Sequence, residues 1–254
     1  MDERSPRPDF GYSVTWQFGH LFLALLFAGI TAALVCAGGS RWALIPTGLL
    51  GVWALLGWVI VYFVFRAHHL LTLPTAEFLP GGEGSVLDLG CGAGRTSIMI
   101  GRARPEAHVT AIDDFSAPYI SDHGEARLQR NLALTGVAER VSVRRGNMLH
   151  LPFDDGSFDA AISSYALDHL QDQIPRALEE AHRVLRPGGQ LLLMVILPGL
   201  WTHLAFPGIV ALHFPTRRRW HAMLQDAKLA LADEGASSRG GWFLVRRPTP
   251  SNSG

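Results

Sequence analysis

Two long apolar stretches near the N-terminus constrain this chain more than any other feature. Phe18 to Ala37 is an apolar run of 20 residues and Ala43 to Phe65 is one of 23, with Arg41 as the only formal charge between them. About 20 helical residues suffice to cross the hydrocarbon core of a bilayer. The pattern predicts a transmembrane helical hairpin over residues 17–66, after an N-terminal tail of residues 1–16.

The short connection Gly38–Trp42 would make the two helices antiparallel neighbours. A pair of buried core helices and a cleaved signal peptide are the alternative interpretations. The first run is too long for the apolar region of a signal peptide. More arginines flank the hairpin at its two ends than in its loop, which predicts that both ends are cytoplasmic. We therefore expect a multi-pass protein of the cell inner membrane, with the lipid bilayer as a partner.

Composition excludes several other classes of protein. Only 17% of the 254 residues are charged, which is low for a soluble domain, and the formal net charge is zero. A chain without a basic field has no electrostatic basis for binding nucleic acid, so no nucleic-acid partner is expected. The two cysteines, Cys36 and Cys91, exclude a disulfide scaffold and lack the spacing of metal ligands, so no metal is predicted.

Beyond the hairpin, short β-rich runs alternate with helical patterns, which is typical of a parallel, doubly wound sheet. Two final strand-like runs leave no room for a helix between them and predict an antiparallel hairpin. The predicted fold is α/β, a doubly wound seven-stranded, mostly parallel sheet over residues 67–248, followed by a disordered tail at 249–254. The predicted strands are Ser85–Gly90, His108–Asp113, Val141–Gly146, Phe158–Ser164, Gln190–Leu197, Leu229–Asp233 and Trp242–Arg247, and the predicted helices are Ala93–Arg102, Ser116–Thr135 and Ile174–Leu185.

A buried strand that ends in a glycine-rich turn is the strongest motif of this region. Residues 86–95 read Val-Leu-Asp-Leu-Gly-Cys-Gly-Ala-Gly-Arg and open a predicted helix. Glycines there let the backbone approach a bound nucleotide closely. The next strand ends in Asp113, whose carboxylate could accept hydrogen bonds from both ribose hydroxyls. A purely structural turn is the alternative interpretation.

The spacing of the glycines in the turn distinguishes between two possible nucleotide ligands. A dinucleotide fingerprint needs a glycine at the sixth position of G-x-G-x-x-G, where this chain has Arg95. The carboxylate of Asp88 would also face a pyrophosphate unfavourably, whereas it would suit a cationic ligand. The spacing G-x-G-x-G therefore favours S-adenosylmethionine over a dinucleotide.

Taken in order, the motifs of residues 70–248 resemble the class I S-adenosylmethionine-dependent methyltransferases, in the branch that contains quinone-biosynthesis methyltransferases. The resemblance implies a Rossmann-like transferase fold with S-adenosyl-L-methionine as cofactor. It rests on the segments Asp88–Gly94, Val109–Asp113, Gly146–Phe153, Ser157–Asp159 and Arg183–Gly189.

The resemblance also implies which residues bind the cofactor. Asp88 would orient its charged end, Asp113 would hold the ribose, and the turn would pass under its methionine part. Asn147 stands where aspartate is more usual, although an amide can still accept from the adenine amino group. The implied cofactor-binding residues are Asp88, Gly90, Cys91, Gly92, Gly94, Asp113, Asp114, Asn147, Met148, Ser163 and Ser164.

Three residues after the fourth strand are the candidate catalytic residues. In the family that the chain resembles, this position opens onto the transferred methyl group. Tyr165, Asp168 and His169 stand there, and the adjacent carboxylate could raise the basicity of the imidazole. A capping aspartate beside a surface histidine is the alternative interpretation.

A broken apolar segment, Leu197–Pro215, follows the fifth strand and is too short to span a membrane. We interpret it as an interfacial lid that opens toward lipid, with the arginines of residues 217–219 at the depth of the headgroups. The alternative is an ordinary core helix followed by a solvated arginine turn.

Together these features predict a membrane-anchored methyltransferase that acts at the cytoplasmic face on a lipophilic or amphiphilic small-molecule acceptor. A tethered methyltransferase of a soluble small metabolite and a non-catalytic cofactor-binding regulator are the alternatives. The sequence predicts neither the acceptor's identity, nor the methylated atom, nor the oligomeric state.

Overall fold

The computed structural model describes residues 7–11, 14–65, 69–117, 124–206, 213–237 and 240–249. The chain divides into two compact units. The larger unit comprises residues 1–11, 68–197 and 214–254, and the smaller unit comprises residues 12–67 and 198–213.

The larger unit is built on one seven-stranded sheet with the strand order β3-β2-β1-β4-β5-β7-β6. The first five strands are parallel, and β7 runs antiparallel to both β5 and β6. The predicted doubly wound sheet with a terminal antiparallel hairpin is therefore confirmed. The strands are β1 (Glu83–Leu89), β2 (Glu106–Asp113), β3 (Val141–Arg145), β4 (Phe158–Ser164), β5 (Leu185–Ile196), β6 (Ala230–Ser237) and β7 (Gly240–Arg246).

Helices cover this sheet and bury its central strands. The near-continuous apolar runs of β1 and β5 are buried because a parallel sheet carries helices on both faces. Trp220 and Phe243 are fully buried in the core. The helices of the larger unit are α3 (Arg95–Ala103), α4 (Glu125–Thr135), α5 (Ile174–Val184) and α7 (Arg217–Asp226), with a short 3₁₀ segment at Leu167–Gln173.

The two largest differences from the predicted strand and helix boundaries are at the starts of β5 and α4. β5 begins at Leu185, five residues before the predicted Gln190, because the strand pairing continues past an irregularity opposite Phe158 and Ala160. The predicted helix Ser116–Thr135 is shorter in the structure, where α4 begins at Glu125 after Gly124, and residues 118–123 of that prediction lie outside the described residues.

The smaller unit contains the two apolar helices, α1 (Val14–Cys36) and α2 (Arg41–Val59), and a π-helical turn at Ile60–Val64. The connection between them is tight, since the backbone N–H of Gly39 donates to the carbonyl of Leu34 over 2.7 Å. The two helices pack closely at Gly51, where an added Cβ would lie 3.5 Å from Cβ of Phe27. The antiparallel hairpin expected from the short connection is present.

Both helices are long and apolar enough to cross a membrane by length and composition. Only 6% of the residues in the apolar window of the first helix are buried inside the protein, and 22% in that of the second. Core helices of a globular protein bury their apolar side chains. Most of the apolar surface of these two helices, in contrast, is not covered by the rest of the protein.

A short helix, α6 (Leu200–Ala205), follows β5 and belongs to the smaller unit. The expected arginine cluster beside this segment is divided. Arg217 forms an ion pair with Glu234, and its guanidinium lies over the ring of Phe243 in the sheet, while its position at the depth of lipid headgroups stays a prediction. Its neighbours Arg218 and Arg219 are exposed.

Candidate cofactor and acceptor site

The glycine-rich turn connects β1 to α3 at the carboxyl end of the sheet. Gly90, Gly92 and Gly94 have φ angles of 75°, 49° and 88°, in the left-handed region that glycine tolerates best. A Cβ at Gly90 would collide with Cβ of Ala166 and lie 3.0 Å from Cε of Met148. The turn therefore needs glycine at this position, and it meets the segments that follow β3 and β4.

Asp88 lies fully buried in β1, just before the turn. Its Oδ2 accepts a hydrogen bond from Oγ of Ser97 over 2.5 Å, and its Oδ1 has no partner among the described residues. Burial raises the pKa of Asp88 to about 7, and the negative charge of Asp113 also raises it, while the Ser97 hydroxyl opposes both. A cation near this carboxyl would therefore favour its ionised form.

Asp113 ends β2 and joins the turn to the next strand. Its Oδ2 accepts from the backbone N–H of Gly92 over 2.8 Å, and its Oδ1 accepts from that of Phe115 over 2.6 Å. Burial raises the pKa of Asp113, and these two hydrogen bonds lower it. The carboxylate is only partly buried, so its remaining lone pairs can accept from a ligand hydroxyl. The neighbouring Asp114 is exposed, and its Oδ1 accepts from the backbone N–H of Ser116.

Cys91 contributes backbone to the turn, and its side chain is buried. Burial raises the pKa of the Cys91 thiol, and the nearby charges of Asp88 and Asp113 raise it further. Both effects favour the neutral thiol over the thiolate. Among the described residues no group of three His, Cys, Asp or Glu side chains could hold a metal ion.

The residues after β3 lie against the same edge of the sheet. The backbone N–H of Gly146 donates to the carbonyl of Asp113 over 3.0 Å. Asn147 is exposed, and its Oδ1 accepts from the backbone N–H of Leu149 over 2.8 Å, which closes a local turn. The amide oxygen of Asn147 is therefore already used once, and its adenine contact stays a prediction.

The two serines at the end of β4 bond to neighbouring strands. Oγ of Ser163 donates to the carbonyl of Leu89 over 2.9 Å and is buried. Oγ of Ser164 lies 3.4 Å from Sδ of Met194 in β5. Both hydroxyls thus tie β4 to its partners, and a contact with the cofactor stays a prediction for them.

Tyr165 and Asp168 connect the end of β4 to the end of β5. Tyr165 has a φ of 57°, and its backbone N–H donates to the carbonyl of Met194 over 2.7 Å. Asp168 is buried, and its Oδ2 accepts from the backbone N–H of Ile196 over 2.8 Å. Burial raises the pKa of Asp168, while this hydrogen bond and the charge of His169 lower it.

His169 is exposed at the surface of the 3₁₀ segment, and Asp168 senses its charge. The two residues are neighbours in the 3₁₀ segment, with the histidine exposed and the aspartate buried, and Oδ1 of Asp168 has no hydrogen-bond partner among the described residues. The hydrogen bond to Ile196 gives Asp168 a structural role that the sequence did not indicate. The catalytic assignment of Tyr165, Asp168 and His169 stays a prediction.

The strand order and the glycine-rich turn have counterparts in known proteins. Residues 86–189 match a family described as a methyltransferase domain. A demethylmenaquinone methyltransferase of Lactiplantibacillus plantarum is 38% identical over 135 residues, which cover 50% of this chain and 54% of that protein. An S-adenosylmethionine-dependent methyltransferase of Aquifex aeolicus superposes with a TM-score of 0.52 and 19% identity, over 64% of this chain and 80% of that one.

Residues 86–189 of this chain form a methyltransferase domain, and its fold is that of the class I S-adenosylmethionine-dependent methyltransferases. A third protein, geranyl diphosphate C-methyltransferase of Streptomyces coelicolor A3(2) solved with S-adenosyl-L-homocysteine, superposes on it with a TM-score of 0.53 and 16% identity, over 65% of this chain and 73% of that one. At such low identity the two solved structures show the fold alone. The chain spans about half the length of the curated relatives that it matches. The predicted family, fold and cofactor are confirmed.

The residues of the methyltransferase domain fit S-adenosyl-L-methionine. Gly90, Gly92 and Gly94 all take left-handed φ angles, which gives the turn the tight backbone that a nucleotide-binding loop needs. Asp113 offers a partly exposed carboxylate to hydroxyl groups, and Asp88 offers a buried carboxyl whose Oδ1 has no partner in the described part of the chain. These three features fit a ligand that combines a nucleoside with a positive charge.

Sequence reasoning missed several residues that support the turn. Asn131 of α4 donates to the carbonyl of Ala93 and to that of Asp9, and its Oδ1 accepts from the Asp9 N–H. Asn131 is buried and thus ties the segment before the hairpin to the cofactor turn. No local pattern marks this contact, because Asn131 and Asp9 are 122 positions apart.

Arg95, the first residue of α3, contacts the chain on both sides of the hairpin. Its guanidinium lies 5.7 Å from the ring centroid of Phe10, and its Nε donates to the carbonyl of His69 over 2.7 Å. Phe10 is buried although it directly follows the charged Asp9. An aromatic residue next to the charged Asp9 in the N-terminal tail is the sequence signal that could have indicated this contact.

Proposed function

We propose that this protein transfers the methyl group of S-adenosylmethionine to a lipophilic acceptor of the quinone type at a membrane surface. One conjunction carries the proposal. The methyltransferase domain is related to demethylmenaquinone methyltransferases, and the same chain bears two apolar helices with largely exposed surfaces. A quinone with an isoprenoid tail resides in the bilayer, so an enzyme held at the membrane meets it at high local concentration.

The reaction is an in-line displacement at an activated methyl carbon. The bond from the sulfonium sulfur to that carbon breaks, its electron pair returns to the sulfur, and a bond from the acceptor to the carbon forms. The acceptor loses a proton if its reacting group carries one. The protein must mainly align the two reactants and exclude water.

The residues of the domain divide this work. Asp113 and the glycine-rich turn would hold the nucleoside, and Asp88 would orient the cationic end of the cofactor. His169, exposed beside the buried Asp168, would accept the proton of the acceptor. These roles follow the resemblance and the geometry described above.

The hairpin has the chemistry of a membrane anchor. Aromatic residues lie at both of its ends, with Trp42 exposed and stacked under Arg41 at one end and Trp58 stacked on Tyr62 near the other. Such rings settle at the interface between hydrocarbon and water. The 23 residues of α1 extend over about 34 Å, enough to cross a hydrocarbon core of about 30 Å.

Transfer of labelled methyl groups tests the proposal. The full-length protein in lipid nanodiscs receives isotopically labelled S-adenosylmethionine and one of three acceptors, each kept reduced: demethylmenaquinone with a long isoprenoid tail, the same ring with a truncated tail, or a soluble catechol. We expect labelled product from the long-tailed acceptor, and kcat/KM that falls as the tail shortens. Mass spectrometry measures the product, and NMR identifies the methylated atom.

The Asp113→Ala variant serves as the matched control with weakened cofactor binding, because it removes the carboxylate that we assign to the ribose. Equal kcat/KM for the soluble catechol would support the tethered enzyme of a soluble metabolite instead. A further sample is the protein in native membranes, which supply their own lipids as acceptors. Binding of S-adenosylmethionine there without methyl transfer to any acceptor would support a regulator and overturn the proposal.

A further inference from the structure

His20 is the polar side chain at which three elements of the smaller unit meet. It lies in α1, and its ring contacts Trp53 of α2 edge-on at 5.8 Å between centroids. It also meets Phe206, directly after α6, with 6.2 Å between the ring centroids. A histidine in an apolar helix is costly unless its ring nitrogens find partners.

The ring of His20 finds that partner in α6. Nε2 of His20 lies 2.6 Å from the carbonyl oxygen of Ala205. A carbonyl oxygen only accepts, so Nε2 carries the proton and donates it. Ala205 is the last residue of α6, and this hydrogen bond satisfies one of the carbonyls that a helix leaves open at its C-terminus.

Gly57 of α2 makes room for this ring. A Cβ at Gly57 would lie 2.5 Å from Cδ2 of His20, so any side chain there would displace the imidazole. Gly48, in the same helix, has nothing within 4 Å of such a Cβ. The glycine at 57 therefore has a packing role that the glycine at 48 lacks.

Apolar contacts hold α6 at the same place. Ala205 is fully buried in a cluster with Ile60, Val61 and Phe65, which belong to the π-helical turn and the residue after it. Phe65 also stacks on Phe206 with 6.1 Å between ring centroids. Short π-helical turns frequently mark functional positions in helices.

The segment that His20 holds follows β5 directly in the chain. β5 ends at Ile196, whose N–H donates to Asp168, and Met194 of β5 accepts from the N–H of Tyr165. Only Leu197 to Gly199 separate the end of β5 from α6. The chain that leaves the carboxyl edge of the sheet beside the candidate catalytic residues thus continues into a helix that is fastened to the apolar hairpin.

We propose that His20 and Gly57 form a latch that fastens α6 to the hairpin and thereby sets the access of a membrane-borne acceptor. His20 is a positioning residue that acts through α6 and touches no reacting atom. The hairpin then does more than tether the enzyme. The acceptor half of this proposal rests on the proposed function, while the latch itself does not.

Hydrogen exchange of α6 tests the latch directly. Mass spectrometry follows the peptide that covers residues 199–206 in the full-length protein, embedded in nanodiscs. We expect His20→Ala and Gly57→Ala to speed its exchange by about three- to tenfold, as expected from the loss of one hydrogen bond and its packing. His20→Gln keeps an N–H donor and should restore most of the protection.

Gly48→Ala is the matched control and should leave the exchange of this peptide unchanged. Cofactor affinity, measured by calorimetry, should stay the same in all four variants, because the cofactor residues belong to the larger unit. Equal exchange in His20→Ala, Gly57→Ala and Gly48→Ala would overturn the latch.

Steady-state kinetics test the acceptor half. We expect His20→Ala to raise the apparent KM for long-tailed demethylmenaquinol severalfold, with little change in kcat or in the KM for S-adenosylmethionine. Faster exchange of α6 with an unchanged acceptor KM would overturn the link to acceptor access. If the wild-type protein does not methylate this acceptor at all, the proposed function fails, and the exchange experiment still decides the latch.

Discussion

The hydroxyl of Ser97 donates to the buried carboxyl of Asp88 over 2.5 Å, and the other oxygen of that carboxyl has no partner in the described part of the structure. Ser97 stands in the first turn of α3, so the helix that follows the glycine-rich turn orients the acid that precedes it. The carboxyl is held in place without the opposite charge that a buried anion normally needs.

This arrangement predicts a pH-dependent cofactor affinity. Burial raises the pKa of Asp88 to about 7, so the group is largely protonated at pH 6 and largely ionised at pH 8. A cationic ligand favours the ionised form, and binding below pH 7 must release a proton. We expect affinity for S-adenosylmethionine to rise between pH 6 and pH 8, with a limiting slope of about tenfold per pH unit at the acid end.

Calorimetry in buffers of different ionisation enthalpy would measure both the affinity and the released proton. Asp88→Asn keeps the size and the acceptor for Ser97 but cannot ionise. Its affinity should be lower at pH 8 and nearly independent of pH. If the affinity of wild type and that of Asp88→Asn depended on pH in the same way, the assignment of Asp88 to the cofactor site would be refuted.

The same pKa shift affects stability in the opposite direction. A carboxyl whose pKa is raised on folding favours the folded state while it is protonated, and that contribution is lost as the pH rises from about 4 through 7. Without cofactor, we expect the urea midpoint of the larger unit to fall over this range in wild type and to fall less in Asp88→Asn. Fluorescence at pH 5 and pH 8 would measure it.

Asp113→Ala should weaken cofactor binding by about 1.5–3 kcal/mol, the scale of hydrogen bonds to a charged group. The loss has two sources, because Asp113 would bond the ribose and also accepts from the N–H groups of Gly92 and Phe115. Asp226→Ala is the control, since it removes an exposed carboxylate at the end of α7 that belongs to no cofactor motif. Undiminished affinity of Asp113→Ala in calorimetry would refute the ribose assignment.

His169→Ala should lower turnover by about 10²–10⁴ if proton removal is part of the chemical step. Cofactor affinity should hardly change, because no cofactor motif includes His169. His108→Ala removes another exposed histidine, in β2, and should have no effect on turnover. Quenched-flow measurement of the first turnover would separate chemistry from product release. Unchanged turnover in His169→Ala would reduce the mechanism to alignment alone.

Cysteine labelling tests the expected topology of the hairpin. In a background without Cys36 and Cys91, Ser40→Cys should react with an impermeant reagent added outside intact cells, and Pro80→Cys should not. Ser40 caps α2 in the connection between the helices, whereas Pro80 is exposed in the larger unit. Labelling of position 80 alone would place the methyltransferase domain outside. Labelling of neither or both would contradict the crossing hairpin.

Much of the fold follows from local patterns in the sequence. β1, β4 and β5 arise from largely apolar runs, as expected of strands that are covered on both faces of a parallel sheet. The glycines at 90, 92 and 94 adopt φ angles that few other residues tolerate. These features depend on residues within a few positions of one another.

The sequence by itself therefore determined the doubly wound sheet, the cofactor class and the two apolar helices. Only the tertiary structure decided that Ser97 bonds Asp88, that Asp168 bonds the end of β5, and that His20 bonds Ala205, 185 positions away. Buried polar groups must find partners wherever the fold brings them together. Local periodicity and backbone preference specify strands and turns. The partners of buried polar groups depend instead on which residues lie close together in space, and this is settled only when the chain has folded.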